Sequence, residues 1–96
     1  YLIDFSETAT LEQQFKSILR DHPDIDTVIC SAGYGHFVEL EQFSYAEMQK
    51  IMDVNFLSHA LLIKLVLPLL KKCAGAKIIF IGSECALEGQ KKGSLY

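Results

Sequence analysis

Three short apolar runs separated by two stretches of helical periodicity leave this chain very few architectures. YLIDF (1–5), IDTVICSAG (25–33) and AKIIFIGS (76–83) are rich in β-formers and run out into small or polar residues, as buried strands entering turns do. Between the first two, Leu11, Phe15, Ile18 and Leu19 fall on one face of a helix. Thr10 with Gln13 predicts a capping box at its start, and Asp21-His22-Pro23 predicts its end. The stretch from Gly35 to Ser44 has loop composition. Ser44 with Glu47 predicts a second capping box opening a long helix from Tyr45 to Lys72, on the order of 40 Å at about 1.5 Å per residue. Pro68 is placed to bend its last turns and Gly75 to stop it. Strands alternating with helices pair in parallel through right-handed crossovers. The expected fold class is therefore α/β, a parallel sheet in three layers, with the element order β-α-β-α-β.

Composition narrows the function classes. A chain that is 50% hydrophobic and 22% charged has the balance of a folded domain rather than a disordered one. Its net charge is −3, and basic residues are scattered except for Lys71-Lys72 and Lys91-Lys92, so no stripe suits a phosphate backbone and nucleic acid is not an expected partner. The longest apolar stretch, FLSHALLIKLVLPLL, is interrupted by Ser58, His59, Lys64 and Pro68 and falls short of a membrane span. Cys30, Cys73 and Cys85 form no CxxC pair and no metal-ligand spacing. They read as small core hydrophobes in a reducing, cytoplasmic setting, and no metal site is expected.

In an open parallel sheet, ligands collect beyond the carboxyl ends of the strands. Asp4, the Cys30-Ser31-Ala32-Gly33 turn and Ser83 all fall at such ends. Ser83 and Tyr96 stand thirteen positions apart, and the polar QKKGS after Gly89 reads as the lead into a new helix that carries Tyr96 back over the same edge. Two hydroxyls would then converge, one holding a carbonyl oxygen while the other passes it a proton. Gly33 and Gly35 are suited to positive φ and to close approach of the backbone to a ligand. On the long helix, Met48, Met52, Asn55, His59, Leu62 and Val66 are spaced alternately by four and three, which sets Asn55 in the apolar stripe. An amide buried there and left unpaired would cost about 1 to 3 kcal/mol, so it requires a backbone carbonyl, an ordered water or a function. His59 reads as a packed helix histidine, and His36 and Glu39 as solvated loop residues.

The order and spacing of YLIDFS, CSAG, MDVNF, GS and the terminal Tyr resemble the short-chain dehydrogenase/reductase family across essentially all 96 residues. The resemblance implies a Rossmann-type doubly wound parallel sheet in three layers (αβα), of which these residues would be only a partial β-α-β-α-β segment, an internal fragment of one NAD(P)-binding domain (residues 1–96), with the glycine-rich phosphate turn before Tyr1 and a lysine four residues after Tyr96. It implies hydride transfer between NAD or NADP and a carbonyl or secondary alcohol. Tyr96 would be the general acid or base, Ser83 would bind the substrate oxygen, and Asn55 would hold a proton-relay water. Asp4 and Phe5 would lie beside the adenine, and Ser31, Ala32 and Gly33 against the cofactor, with Cys30 and Ser31 in place of two asparagines of the family's turn. A tyrosine ordinarily titrates at about 10, so base work near neutrality needs positive charge beside it, which the family takes from the lysine and the oxidised nicotinamide. The family also pairs this long helix with its copy, implying a homodimer or homotetramer through helix 45–72, with Leu61, Leu65, Leu69 and Lys72 on the partner face. In the strand order 3-2-1-4-5-6, Tyr1–Phe5 would be separated from the other strands by a gap. The 96 residues alone are expected to expose strand edges and to be inactive. The competing readings are a non-catalytic nicotinamide-binding sensor or scaffold on the same fold, and a flavodoxin-like or receiver-type module.

Overall fold

The computed structural model describes residues 1–96. Helix α1 spans Thr8–Asp21 and strand β1 spans Thr27–Cys30. Helix α2 (Tyr45–Met52) runs through a π-helical turn, Asp53–Leu57, into α3 (Ser58–Leu70), and strand β2 (Lys77–Phe80) follows. The strands pair in parallel, Thr27 opposite Lys77 and Cys30 opposite Phe80, with α1 and α3 packed on one face. The core is Val28, Cys30, Val66 and Leu70, fringed by Leu19, Ile25 and Leu62. Cys30 thus serves as a core hydrophobe, and burial pushes its thiol upward. All four residues of β2 remain exposed, as does Ile29 of β1.

The first expected strand does not form. Tyr1–Phe5 makes no ladder bonds, because an apolar groove of about 570 Å³, bordered by Ile3, Phe5, Ile25, Val28 and Val66, separates it from β1. Side chains hold the segment instead. The Tyr1 hydroxyl donates to Asp21 at 3.2 Å, and Phe5 meets Phe15 edge-on at 5.7 Å.

Helix starts divide into one expectation met and one corrected. Ser44 and Glu47 form the reciprocal capping box, with Glu47 N–H donating to Ser44 Oγ and Ser44 N–H to Glu47 Oε2. The Ser44 hydroxyl also donates to Glu47 Oε2 at 2.7 Å, and this bond, with that from Ser44 N–H, holds the Glu47 carboxyl below its ordinary range. Thr10 and Gln13 form no box, because α1 begins at Thr8 after an uncapped Glu7, so Thr10 already lies inside the helix. The helical run ends at Leu70, and Gly75 takes the positive φ (80°) that turns the chain into β2.

The π turn also corrects the stripe. Uniform α-helical spacing predicts Met52 on the buried face, yet it is 47% exposed while Ile51 is 2% exposed. A π turn takes one extra residue per turn, so the buried face shifts by one position on its amino-terminal side. The apolar run alone is short, but the complete helical run of 26 residues, Tyr45–Leu70, is long and apolar enough to cross a membrane, with mean hydropathy 1.5 over an 18-residue stretch of it. In this fold it packs Ser58, His59, Val66 and Leu70 into the protein.

Candidate active site

A pocket of about 310 Å³ opens beyond the carboxyl ends of β1 and β2. Its lining joins the turn after β1 (Ser31, Ala32, Gly33), the long helix (Asn55, His59), the segment after β2 (Gly82, Ser83) and Tyr96. Asn55, Ser83 and Tyr96, far apart in sequence, therefore share one cavity.

Each arrives by a different local route. Asn55 sits in the π turn and is half-buried. Its amide Nδ2 donates to the Tyr34 carbonyl at 2.8 Å, and its Oδ1 accepts the Tyr34 N–H at 3.0 Å. The partner that a helical amide demands is thus the backbone of the turn after β1. Ser83 lies three residues past β2 and caps a short 3₁₀ turn, Glu84–Ala86, its Oγ accepting from Cys85 N–H at 3.2 Å. That bond uses a lone pair and leaves the hydroxyl proton available for a ligand oxygen. The expected helix before Tyr96 is absent. Successive turns carry the chain instead, Gly93 N–H to the Gln90 carbonyl and Tyr96 N–H to the Gly93 carbonyl, both at 3.1 Å.

The turn glycines serve close approach, not positive φ. A Cβ on Gly33 would stand 3.3 Å from Asn55 Oδ1, and one on Gly35 would stand 2.7 Å from the Phe37 ring and 3.0 Å from that of Tyr96. Asp4 and Phe5 border an adjoining hollow of about 290 Å³ with Gly33, Tyr34, Lys50 and Val54. The Asp4 carboxylate accepts from Ser6 Oγ and N–H at 2.7 and 2.8 Å, which holds it below the ordinary carboxylate range. Gly33 lines both this hollow and the first pocket.

The pattern described as short chain dehydrogenase matches residues 1–96. The chain belongs to that family. The chain is 36% identical over 81 residues to a Helicobacter pylori protein named "Probable short-chain type dehydrogenase/reductase VdlC", covering 84% of this chain and 30% of that one. It is 36% identical over 66 residues to human retinol dehydrogenase 8, covering 69% and 21%. The chain thus spans less than a third of the length of these relatives. Among solved structures, an alcohol dehydrogenase of the archaeon Thermococcus sibiricus, complexed with 5-hydroxy-NADP, superposes over the whole chain and 40% of its own, with TM-score 0.85 and 28% identity. The α/β reading of this short chain dehydrogenase is that of its structural neighbours.

Three contributors to the pocket escaped the sequence reading. Tyr34 acts through its backbone, which no side-chain pattern reveals. Phe37 lies in a loop without periodicity. His59 was read as a packed histidine and is one, only 7% exposed, but it also lines the pocket with Nε2 unpartnered. Burial pushes its imidazole below the ordinary histidine value, opposed by the Ala32 backbone. Phe5 stands edge-on to its ring at 6.1 Å.

Proposed function

We propose that the complete polypeptide transfers a hydride between NAD or NADP and a carbonyl or secondary alcohol. The observation that carries this is the joint lining of one pocket by Asn55, Ser83 and Tyr96, beside a hollow that shares Gly33 with it. The residues present fit a dinucleotide. Asp4 and Phe5 would flank the adenine in the hollow, while Ser31, Ala32 and Gly33 offer backbone without bulk where the nicotinamide end approaches. The bound nicotinamide supplies the hydride donor or acceptor; the rest falls to the chain.

Ser83, its Oγ already accepting from Cys85, directs its proton at the substrate oxygen and stabilises negative charge developing there. Tyr96 gives that oxygen a proton in reduction and takes it in oxidation. Asn55 has both ends of its amide committed to Tyr34, so it fixes the turn after β1 against the helix. The second hydrogen of Nδ2 and the second lone pair of Oδ1 remain open to a relay water. Homodimer or homotetramer formation through the long helix belongs to the same proposal. Leu61, Leu65 and Leu69 are half-buried within one chain, while Phe56 and Leu67 present more open apolar surface.

The test uses the full-length protein with both cofactors against a panel of aldehydes, ketones and secondary alcohols, following nicotinamide absorbance. Turnover with any member supports the reading. Cofactor binding with no turnover across the panel would replace it with a nicotinamide-binding sensor or scaffold.

A further inference from the structure

The loop between β1 and α2 is fastened at two points and presents an aromatic ring between them and α2's approach. Asn55 clamps the Tyr34 backbone from the helix side. Two residues on, the His36 ring stands edge-on to buried Phe43 at 5.3 Å, with Nδ1 3.8 Å from Glu47. Phe37 is thereby held out against Tyr96, their ring centroids 5.4 Å apart at 56°. The fit depends on two glycines. A Cβ on Gly35 would meet Phe37 Cε2 at 2.7 Å and Tyr96 Cδ2 at 3.0 Å, and one on Gly93 would meet Phe37 Cε1 at 3.4 Å. Lys92 reaches across from the Tyr96 segment to Glu39, 3.6 Å away, on the far side of the same loop.

We propose that Phe37 is a positioning residue for the Tyr96 phenol, resting on the oxidoreductase reading above. The Tyr96 N–H bonds to the Gly93 carbonyl across a turn, a backbone contact that does not set the side-chain torsions of the ring. The ring stack restricts those torsions and links the phenol, through Gly35 and Tyr34, to the Asn55 clamp. Phe37 is 48% and Tyr96 47% exposed, so their contact sits at the pocket mouth and contributes more to orientation than to the core. Tilted aromatic pairs contribute about 0.5 to 1.5 kcal/mol, enough to favour one ring orientation several-fold without being required for folding. A reacting group displaced by about 1 Å loses on the order of a hundredfold in rate, so loosening this contact acts on kcat first.

The experiment compares full-length wild type with F37A, F37L, F37Y and G35A. F37A and G35A are expected to lower kcat about five- to tenfold while KM and the cofactor Kd stay within about threefold. F37Y, which keeps the ring, is expected to restore kcat to within about threefold. Proton NMR of protein carrying labelled tyrosine reads the stack directly, since the Tyr96 ring signals are expected to move in F37L. Should F37A fail to fold, the milder F37L and the G35A displacement carry the comparison, with melting temperatures alongside. An F37A or F37L kcat within about twofold of wild type, or Tyr96 signals unmoved in F37L, would overturn the role of Phe37. A wild type without turnover overturns instead the reading on which it rests, and the NMR shift still reports separately whether the rings touch.

Discussion

On one wall of the candidate pocket, Asn55 grips the Tyr34 backbone with two hydrogen bonds between residues 21 positions apart, from inside a helical run of 26 residues. On the opposite wall, Ser83 and Tyr96 ride on short turns, tied to the rest by one ring contact and one exposed ion pair. The first wall is the better braced, because Asn55 lies inside that helical run and Tyr34 follows four residues after β1. The second carries the hydroxyls and is set by side-chain packing. A proton-transferring group on the less constrained wall depends on whatever packs against it, whereas the amide on the stiff wall works chiefly by holding the turn after β1.

The largest expected effect tests that division of labour. In the full-length protein, Tyr96→Phe keeps the ring contact and removes the proton, and is expected to lower kcat by about 10² to 10⁴ with cofactor Kd unchanged. Ser83→Ala is expected to cost about 10² to 10³. Equal or greater stability loss than activity loss in either variant, by parallel denaturation and steady-state kinetics, would place these residues in the framework and erase the contrast.

Asn55→Ala addresses the other wall and reverses the pattern. Two hydrogen bonds at about 0.5 to 1.5 kcal/mol each predict about 1 to 3 kcal/mol of lost stability in urea denaturation. Asn55→Asp, which keeps the acceptor for Tyr34 N–H and turns a donor into an acceptor facing the Tyr34 carbonyl, is expected to recover none of the second bond. A stability change below about 0.5 kcal/mol for both would mean the clamp is slack.

How much of this was readable beforehand follows the same line between local and distant causes. The Ser44–Glu47 box, the Gly75 turn and the paired strands at 27–30 and 77–80 depend on neighbours in sequence and on strand composition, and they stand where expected. The site residues at strand ends were legible because parallel strands bring their carboxyl ends to one edge. The strand at Tyr1–Phe5 failed because strandness is a property of a pair, and the groove beside it holds no pairing partner. The π turn failed for a subtler reason. MDVNF is ordinary helix composition, and only the Asn55–Tyr34 bonds at its centre mark the extra residue, a contact that no periodicity encodes.

His59 sharpens the comparison with pH. Its folded-state value lies below that of the unfolded chain, chiefly through burial, so the unfolded state takes up a proton first. The associated stability is complete above the ordinary histidine value of about 6.5 and is lost as pH falls below it, until the folded protein is itself protonated. His59→Gln is expected to flatten the stability profile in that window. An unchanged acid slope would show that the stiff wall is not where acid acts first.

The smallest effect expected is at the ion pair that bridges the loop to the Tyr96 segment, and there two terms oppose each other. Lys92 and Glu39 are about half exposed, and such pairs contribute roughly 0 to 1 kcal/mol, less in salt. Lys92 also holds φ at 62°, a left-handed conformation that costs an ordinary residue roughly 1 to 2 kcal/mol and glycine almost nothing. Lys92→Ala loses the pair and keeps the strain, so it should destabilise by under about 1 kcal/mol. Lys92→Gly loses the same pair and relieves the strain, offset in part by the greater freedom of an unfolded glycine, so it should equal or exceed wild type. Thermal melts of both variants at low and high salt separate the terms, since salt weakens only the pair. If Lys92→Gly melts well below Lys92→Ala, the backbone at this position is not left-handed in solution, and the turn delivering Tyr96 to the pocket has a different shape from the one described.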